Sequence, residues 1–199
     1  LSASRAAALR KALGLHKPYV LCSGAADRRK NIDRLIQAFA RARKGPLAQA
    51  EMVICSLRPG ELETTGYAHS ARQAGLSDAI RVLGYVDDEQ MKALYQGAQV
   101  YAFPSLWEGF GLPLLEAFSL GAPVLAARAG ALPEVAGQGA RLADPLSVAD
   151  LAEGLSVLAG PARSRWVAAG RRAALAWQKK AAASAAATFN AYRRAIQAR

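Results

Sequence analysis

Histidine and cysteine are scarce in this chain, two of each in 199 residues, and neither pair is placed for chemistry. Cys22 and Cys55 sit inside apolar, strand-like runs, the pattern of buried free thiols in a reducing compartment, and their spacing fits no metal-ligand set. His16 and His69 are isolated beside loop signals, so no metal centre and no catalytic imidazole is expected. Also missing is any apolar run near the roughly 20 residues that span a bilayer, or the pattern of a secretory leader. Acidic residues are unevenly absent. Residues 161–199 carry 9 Lys and Arg and no acid, 1–44 carry 11 against 2, and 45–160 carry 6 against 13. The resulting +11 suits an anionic partner, yet no basic strand interleaved with aromatics and no recognition helix accompanies it, so nucleic acid is not expected. The C-terminal cations, Arg171, Arg172, Lys179, Arg193 and Arg194 among them, are scattered through alanine-rich helix. They read first as a solvated face and second as peripheral contact with an anionic membrane surface or a lipid-linked acceptor.

What the chain does have is a regular alternation of short apolar runs and helical periodicity. Its 52% hydrophobic and 21% charged content is that of a globular protein, long enough for one substantial domain or two small ones. The opening LSASRAAALRKALGL reads as an amphipathic helix capped by Gly14. Starting on Leu1 so near a helix, the chain reads as a piece of something longer. Residues 19–22 form a continuous apolar run of the kind buried on both faces of a sheet, closed by Ser23 and Gly24. The helix IDRLIQAFARAR follows, with Ile32, Leu35, Ile36 and Phe39 at helical spacing and Asn31 as its expected cap. Residues 52–55 read as the next strand, LRPGELETT as a turn into a helix ending near Gly75, and 79–83 as a further strand. Gly84 closes that strand, and Asp87 with Gln90 forms a helix-start box. Residues 98–103, 123–126 and 141–142 complete about six strands. From Ser147 onward the pattern is helical, over about 147–159, 162–176 and 178–197, with Trp177 at a join. This alternation predicts an α/β fold, a doubly wound parallel sheet with helices on both faces and an all-helical C-terminal segment. Ligands bind such sheets beyond the strand carboxyl ends, and the loops at 24–30, 84–86, 104–111 and 127–132 all fall there.

The most informative stretch is AQVYAFPSLWEGFGLPLLEAFSL, residues 98–120. It reads as a buried strand, a glycine-bearing loop and a helix opened by Pro113. A helix start after a glycine loop presents unpaired N–H groups and the positive end of a dipole, which together make an anion site. Glu108 lies before Gly109 and Gly111, and Glu116 about one turn inside the helix, so a phosphate at the helix mouth has a carboxylate on either side. Carboxylates suit vicinal diols of a ribose or hexose. Upstream, AADRRKN places Arg28, Arg29 and Lys30 at a strand-to-helix loop, where the helix end disfavours cations unless an external anion joins them.

The string PSLWEGFGLPLLEA resembles the signature of retaining glycosyltransferases of family 4, which carry two Rossmann-like lobes, and fits it at every fixed position. The resemblance implies that Glu116 holds the ribose of the nucleotide, and that Glu108 contacts the donor sugar at the reacting centre. Amides around Gly109, Phe110, Gly111 and Leu112 are implied to face the sugar and pyrophosphate. Gly24, Arg29 and Lys30 match the family's diphosphate site, with Lys30 as the pyrophosphate partner. Many members place an arginine directly after the strand-end glycine, whereas this chain has Ala25. In that respect it resembles a subset that includes many mannosyltransferases. The segment corresponding to Leu83, Gly84, Tyr85 and Val86 lies against the nucleobase in the family, although core packing is the simpler reading of Tyr85. Glu134, in a segment resembling the family's Leu-Pro-Glu, reads either as a group near the donor or as an ordinary helix-start carboxylate.

The resemblance covers roughly 18–195 and only the C-terminal, donor-binding lobe. It implies a linker or helix at 1–17 from an absent acceptor lobe, a Rossmann-like nucleotide-sugar-binding domain at 18–160, and C-terminal helices at 161–199 packed on that domain. The implied activity is transfer of a hexose, mannose in the resembling subset, from a GDP- or UDP-linked donor to a polysaccharide or lipid-linked glycan. Retention of configuration, no cofactor and no metal are implied with it, as is a cytoplasmic setting at or near the inner face of the membrane. The acceptor is expected to bind through the missing N-terminal domain. An epimerase acting on nucleotide sugars, or a non-catalytic nucleotide-sugar-binding lobe, remains the alternative.

Overall fold

Strand residues that alternate between two apolar faces need cover on both sides, and that requirement builds this fold. The computed structural model describes residues 1–24, 27–58 and 60–197; Ala25, on which the resemblance to a subset rests, lies outside them. Six strands, β1 (Tyr19–Ser23), β2 (Glu51–Cys55), β3 (Ile80–Val82), β4 (Val100–Phe103), β5 (Val124–Ala127) and β6 (Ala140–Ala143), form one parallel sheet in the order β3-β2-β1-β4-β5-β6. The expected doubly wound sheet is therefore present. Its strand order reverses between β1 and β4, the crevice at which such sheets take ligands.

Side-chain alternation sorts the core into two layers. Val20, Cys22, Met52, Ile54, Val100 and Ala102 point to one face, against Leu35, Ile36 and Phe39 of α2 (Ile32–Ala42) and Leu151, Leu155 and Leu158 of α8 (Val148–Ala159). Tyr19, Leu21, Val53, Cys55, Tyr101 and Phe103 point to the other. There they meet Leu94 and Tyr95 of α5 (Asp88–Gly97), Leu114 and Phe118 of α6 (Leu112–Ser119), and Leu132 and Val135 of α7 (Leu132–Ala136). Cys22 and Cys55 are buried free thiols, and burial raises both, Cys55 to about 12. Among the described residues no helix is long and apolar enough to cross a membrane.

Several boundaries differ from the sequence pattern. The helix expected to end near Gly75 is two short ones, α3 (Glu61–Thr64) and α4 (Tyr67–Gln73), because Gly66 between them takes φ +79°. The first helix, α1 (Ala3–Ala12), does end in Gly14 at φ +74°, whose N–H bonds to Lys11 O. It is not amphipathic in packing, since Ala6 is its one buried residue. Instead it docks on α5 through polar contacts, Arg5 to Glu89 at 2.7 Å and Arg10 to Ala93 O at 3.1 Å. Asp87 and Gln90 form the expected capping box of α5.

The largest correction concerns the C-terminal segment. Instead of two helices joined at Trp177, a single helix, α9, runs Arg163–Gln197. Nothing in its alanine-rich sequence breaks it, and Trp177 stays helical while its indole N–H donates to Val135 O at 2.8 Å. Only the first part of α9 packs on the domain, with Gly170 and Ala174 buried, and from Gln178 onward it is exposed on all sides. The approach is close: a Cβ at Gly170 would lie 2.7 Å from the Phe118 ring of α6. Gly170→Ala is therefore expected to destabilise by about 1–2 kcal/mol, overpacking outweighing a helix-propensity gain of about 1 kcal/mol. Thermal unfolding followed by circular dichroism should show a fall of about 3–6 °C. Ending the chain after Ser184 should shift the midpoint by less than about 2 °C, because no buried contact is lost.

Candidate functional site

The loop from β4 to α6 is shaped by tight backbone approaches. Gly111 takes φ +98°, and a Cβ there would lie 2.6 Å from Leu132 Cδ2, so only glycine fits. Gly130 lies equally close to Glu108, where a Cβ would meet the carbonyl oxygen at 2.8 Å, and Ala131 N donates to that oxygen at 3.2 Å. Leu106 N donates to Arg29 O at 2.8 Å, which joins this loop to the one after β1. Gly111 immediately precedes α6, and Pro113 occupies its first turn as expected. Among the described residues the N–H groups of Gly109, Phe110, Gly111 and Leu112 have no protein partner. Leu112 opens α6 and the other three precede it in the loop, so free donors lie at and just before the positive end of that helix.

The cations from the β1 loop meet Glu108 here. Lys30 Nζ lies 2.8 Å from Glu108 Oε1, and Arg29 Nη1 lies 3.0 Å from Oε2. The Glu108 side chain is 13% exposed. Burial alone would raise its pKa, but the Lys30 hydrogen bond, the nearby Ser105 hydroxyl and the charges of Lys30 and Arg29 hold it below the ordinary carboxylate range. Ser105 is fully buried, and its hydroxyl stops short of a formed hydrogen bond. Gly24 permits the arrangement, since a Cβ there would crowd the Lys30 stem at 3.0 Å. Arg29 is further held by Asp27, which also caps the 3₁₀ turn at Arg28–Lys30.

Asn31 does something the sequence did not disclose. Its backbone is left-handed (φ 59°) and its side chain makes no cap bond to α2, contrary to expectation. The buried amide instead donates to Pro104 O at 3.1 Å and Pro145 O at 2.7 Å, linking three loops. Its position beside Lys30 was the available signal, but side-chain-to-loop bonding across 73 and 114 residues leaves no local pattern.

Glu116 faces a different wall of the site. It is exposed and lines a groove of about 670 Å³ between α5, α6 and α9, bounded by Met91, Leu112, Leu115 and Trp177. Tyr95, pushed up by burial and by neighbouring Tyr101 and Glu116, keeps its hydroxyl and donates to Glu116 Oε2 at 3.3 Å. Tyr95 is also a core residue, so its spacing on α5 shows the packing and not this contact. Tyr85 reverses the simpler expectation: at 94% exposed it belongs to no core, and it stands on the loop after β3. Beside it Val86 packs against the core, while Gly84 O accepts from Ser56 N at 3.2 Å. Glu134 is exposed and lines a separate groove against Arg172, Trp177 and Lys180. Phe110, at the tip of the glycine loop, packs edge-on against Trp177 with ring centroids 5.2 Å apart. The structure thus gathers Gly24, Arg29, Lys30, Glu108 and the 109–112 amides in one place. Glu116 lies in an adjoining groove, and Tyr85 stands three strand spacings, roughly 14 Å, along the same sheet edge.

A family profile described as "Glycosyl transferases group 1" matches residues 7–172. The chain is 36% identical over 130 residues to O-antigen chain mannosyltransferase B of Escherichia coli, covering 65% of this chain and 34% of that protein. It is 36% identical over 166 residues to an MMP alpha-(1->4)-mannosyltransferase of Mycolicibacterium hassiacum, covering 79% of this chain and 39% of that protein. The chain thus spans little more than a third of these relatives. Among solved structures, sucrose-phosphate synthase from Thermosynechococcus elongatus superposes with a TM-score of 0.79 at 29% identity, covering 97% of this chain and 49% of that one.

The ion pairs at Glu108 carry a pH signature. A carboxyl whose folded pKa is depressed contributes stability above its unfolded value, near 4.3, and loses it as pH falls through the folded value. Glu108→Gln should therefore cost about 1 kcal/mol above about pH 5, with the gap to wild type closing under more acid conditions. Melting temperatures of both proteins from pH 7 to pH 3 check this, and a gap that widens in acid would contradict it.

Proposed function

Because this chain belongs to the group 1 glycosyl transferases, we propose that it is the donor-binding part of a retaining hexosyltransferase. On this reading the complete enzyme moves a hexose, mannose by likeness to the two curated relatives, from a nucleoside diphosphate to a glycan acceptor held elsewhere in the protein. The observation that carries the reading is the pairing of Lys30 with Glu108 immediately before four unpartnered peptide N–H groups, those of residues 109–112. Cations and preorganised amides are what a leaving diphosphate needs, since its charge grows as the glycosidic bond breaks.

In this mechanism the N–H groups of 109–112 and the Lys30 ammonium hold the two phosphoryl groups and stabilise the departing charge. Glu108 lies beside them and orders the sugar hydroxyls at the reacting carbon. Glu116, oriented by Tyr95, accepts from the ribose diol. The exposed Tyr85 ring and the Gly84–Val86 backbone meet the base, at a separation that a nucleoside rather than a bare phosphate bridges. Attack by the acceptor comes from the face that the missing part of the protein covers. Two buried, unpaired thiols suit a reducing compartment.

The chain alone should bind nucleoside diphosphate weakly and transfer no sugar. Calorimetric titration with UDP, GDP, ADP and dTDP tests the site and identifies the base, and failure of a folded chain to bind any of them would reject it. Glu116→Ala should weaken nucleotide binding about fivefold to thirtyfold, the cost of a charge-assisted hydrogen-bond pair. Glu108→Ala in the complete enzyme should lower kcat far more than it raises KM; the opposite split would exchange the two roles. Conversion of donor into an epimer without acceptor would point to the epimerase alternative.

A further inference from the structure

We propose that Glu108 makes this site discriminate between a nucleotide sugar and the bare nucleoside diphosphate that leaves it. The inference rests on the donor-site reading and adds a determinant of specificity to it. Both oxygens of Glu108 are already engaged, one by Lys30 at 2.8 Å and one by Arg29 at 3.0 Å. The carboxylate is shielded, with its side chain 13% exposed, and is held in the charged form by those partners. Lys30 has no other acidic partner among the ion pairs of the described residues, whereas Arg29 also has Asp27. The cation that a diphosphate requires is therefore the one Glu108 already holds.

Backbone adjustment cannot separate them. Glu108 is pinned by Gly130 against its main chain and by the Ala131 N–H on its carbonyl. The Lys30 stem rests on Gly24, with its ammonium 5.2 Å from the centre of the Phe103 ring. An arriving diphosphate must then share Lys30 with a carboxylate, placing like charges side by side, or displace Glu108 by side-chain rotation and leave it short of a donor. A sugar on the diphosphate changes the balance, because its hydroxyl groups donate to the released carboxylate in place of the ammonium. The intact donor compensates Glu108 for the lost partner and the product does not. After transfer Glu108 returns to Lys30, and the diphosphate is weakened at the step where it must leave.

Calorimetry on the wild-type chain, Glu108→Gln and Lys30→Gln, titrated with GDP, GDP-mannose, UDP and UDP-glucose, tests this, with thermal unfolding confirming that each variant is folded. Glu108→Gln is expected to bind the free diphosphate about fivefold to tenfold tighter than wild type, the change expected on removing a partly screened competing charge. The preference for sugar nucleotide over diphosphate should shrink by at least as much, and Lys30→Gln should weaken both ligands together. Glu108→Ser serves as a second variant and should shift in the same direction should the glutamine remain bonded to Lys30. Binding of the diphosphate to both Glu108 variants at or below wild-type affinity overturns the proposal while leaving the donor site standing. So does a wild-type chain that already prefers the bare diphosphate. Absence of binding to any of the four ligands by folded wild type and folded Glu108→Gln overturns the donor-site reading and this proposal together.

Discussion

Three loops at the carboxyl edge of the sheet are held together by one side-chain amide. Asn31 donates to carbonyls at Pro104 and Pro145 from a buried, left-handed position. Its carbonyl oxygen accepts from Arg34 at 3.0 Å. A buried carbonyl without a donor is costly, so loss of this amide would leave two loops with unsatisfied oxygens at the site's floor. The left-handed turn at Asn31 is also what directs Arg29 and Lys30 toward Glu108 before α2 begins. Lys30, Glu108 and the free amides of the glycine loop inherit their relative positions from this junction.

Charge in the molecule is arranged at two scales. Over the whole chain, both basic terminal regions flank an acidic middle and sum to +11. At the site, by contrast, Asp27, Arg29, Lys30 and Glu108 balance one another through contacts of 2.8 to 3.1 Å. Long-range attraction between charges is screened within about 10 Å at ordinary salt, so the terminal excess of positive charge and the local cluster act over different distances. The side chains of this cluster are thus already paired, and its unpaired donors are the backbone N–H groups of residues 109–112.

How much of this could be read from the residues depended on whether the signal was local. The six strands and the glycine loop were legible, because burial on two faces and a strand–glycine–proline sequence are patterns of neighbours. Gly24, Gly109 and Gly111 were legible for the same reason, and the structure gives Gly24 and Gly111 a steric cause. The pairing of Lys30 with Glu108 was not, since 78 residues separate them and each was assigned to a ligand rather than to the other. Tyr85 departs from core packing alone: an aromatic after a strand usually enters a core, whereas here the chain turns it outward before α5. The continuity of α9 was hidden by Trp177, a large residue that suggested an interruption but is accommodated by one hydrogen bond to Val135.

α9 gives the molecule a mechanical property. At 35 residues it is roughly 52 Å of stiff rod, with its base clamped between Phe118 and Gly139 and its far portion exposed. Trp177 sits at the fulcrum, with its indole fixed to Val135 and its ring against Phe110, the tip of the glycine loop. A sideways load on the free arm is resisted at this point and is delivered to the glycine loop. Whatever grips the outer helix therefore holds a lever whose short end rests on the glycine loop.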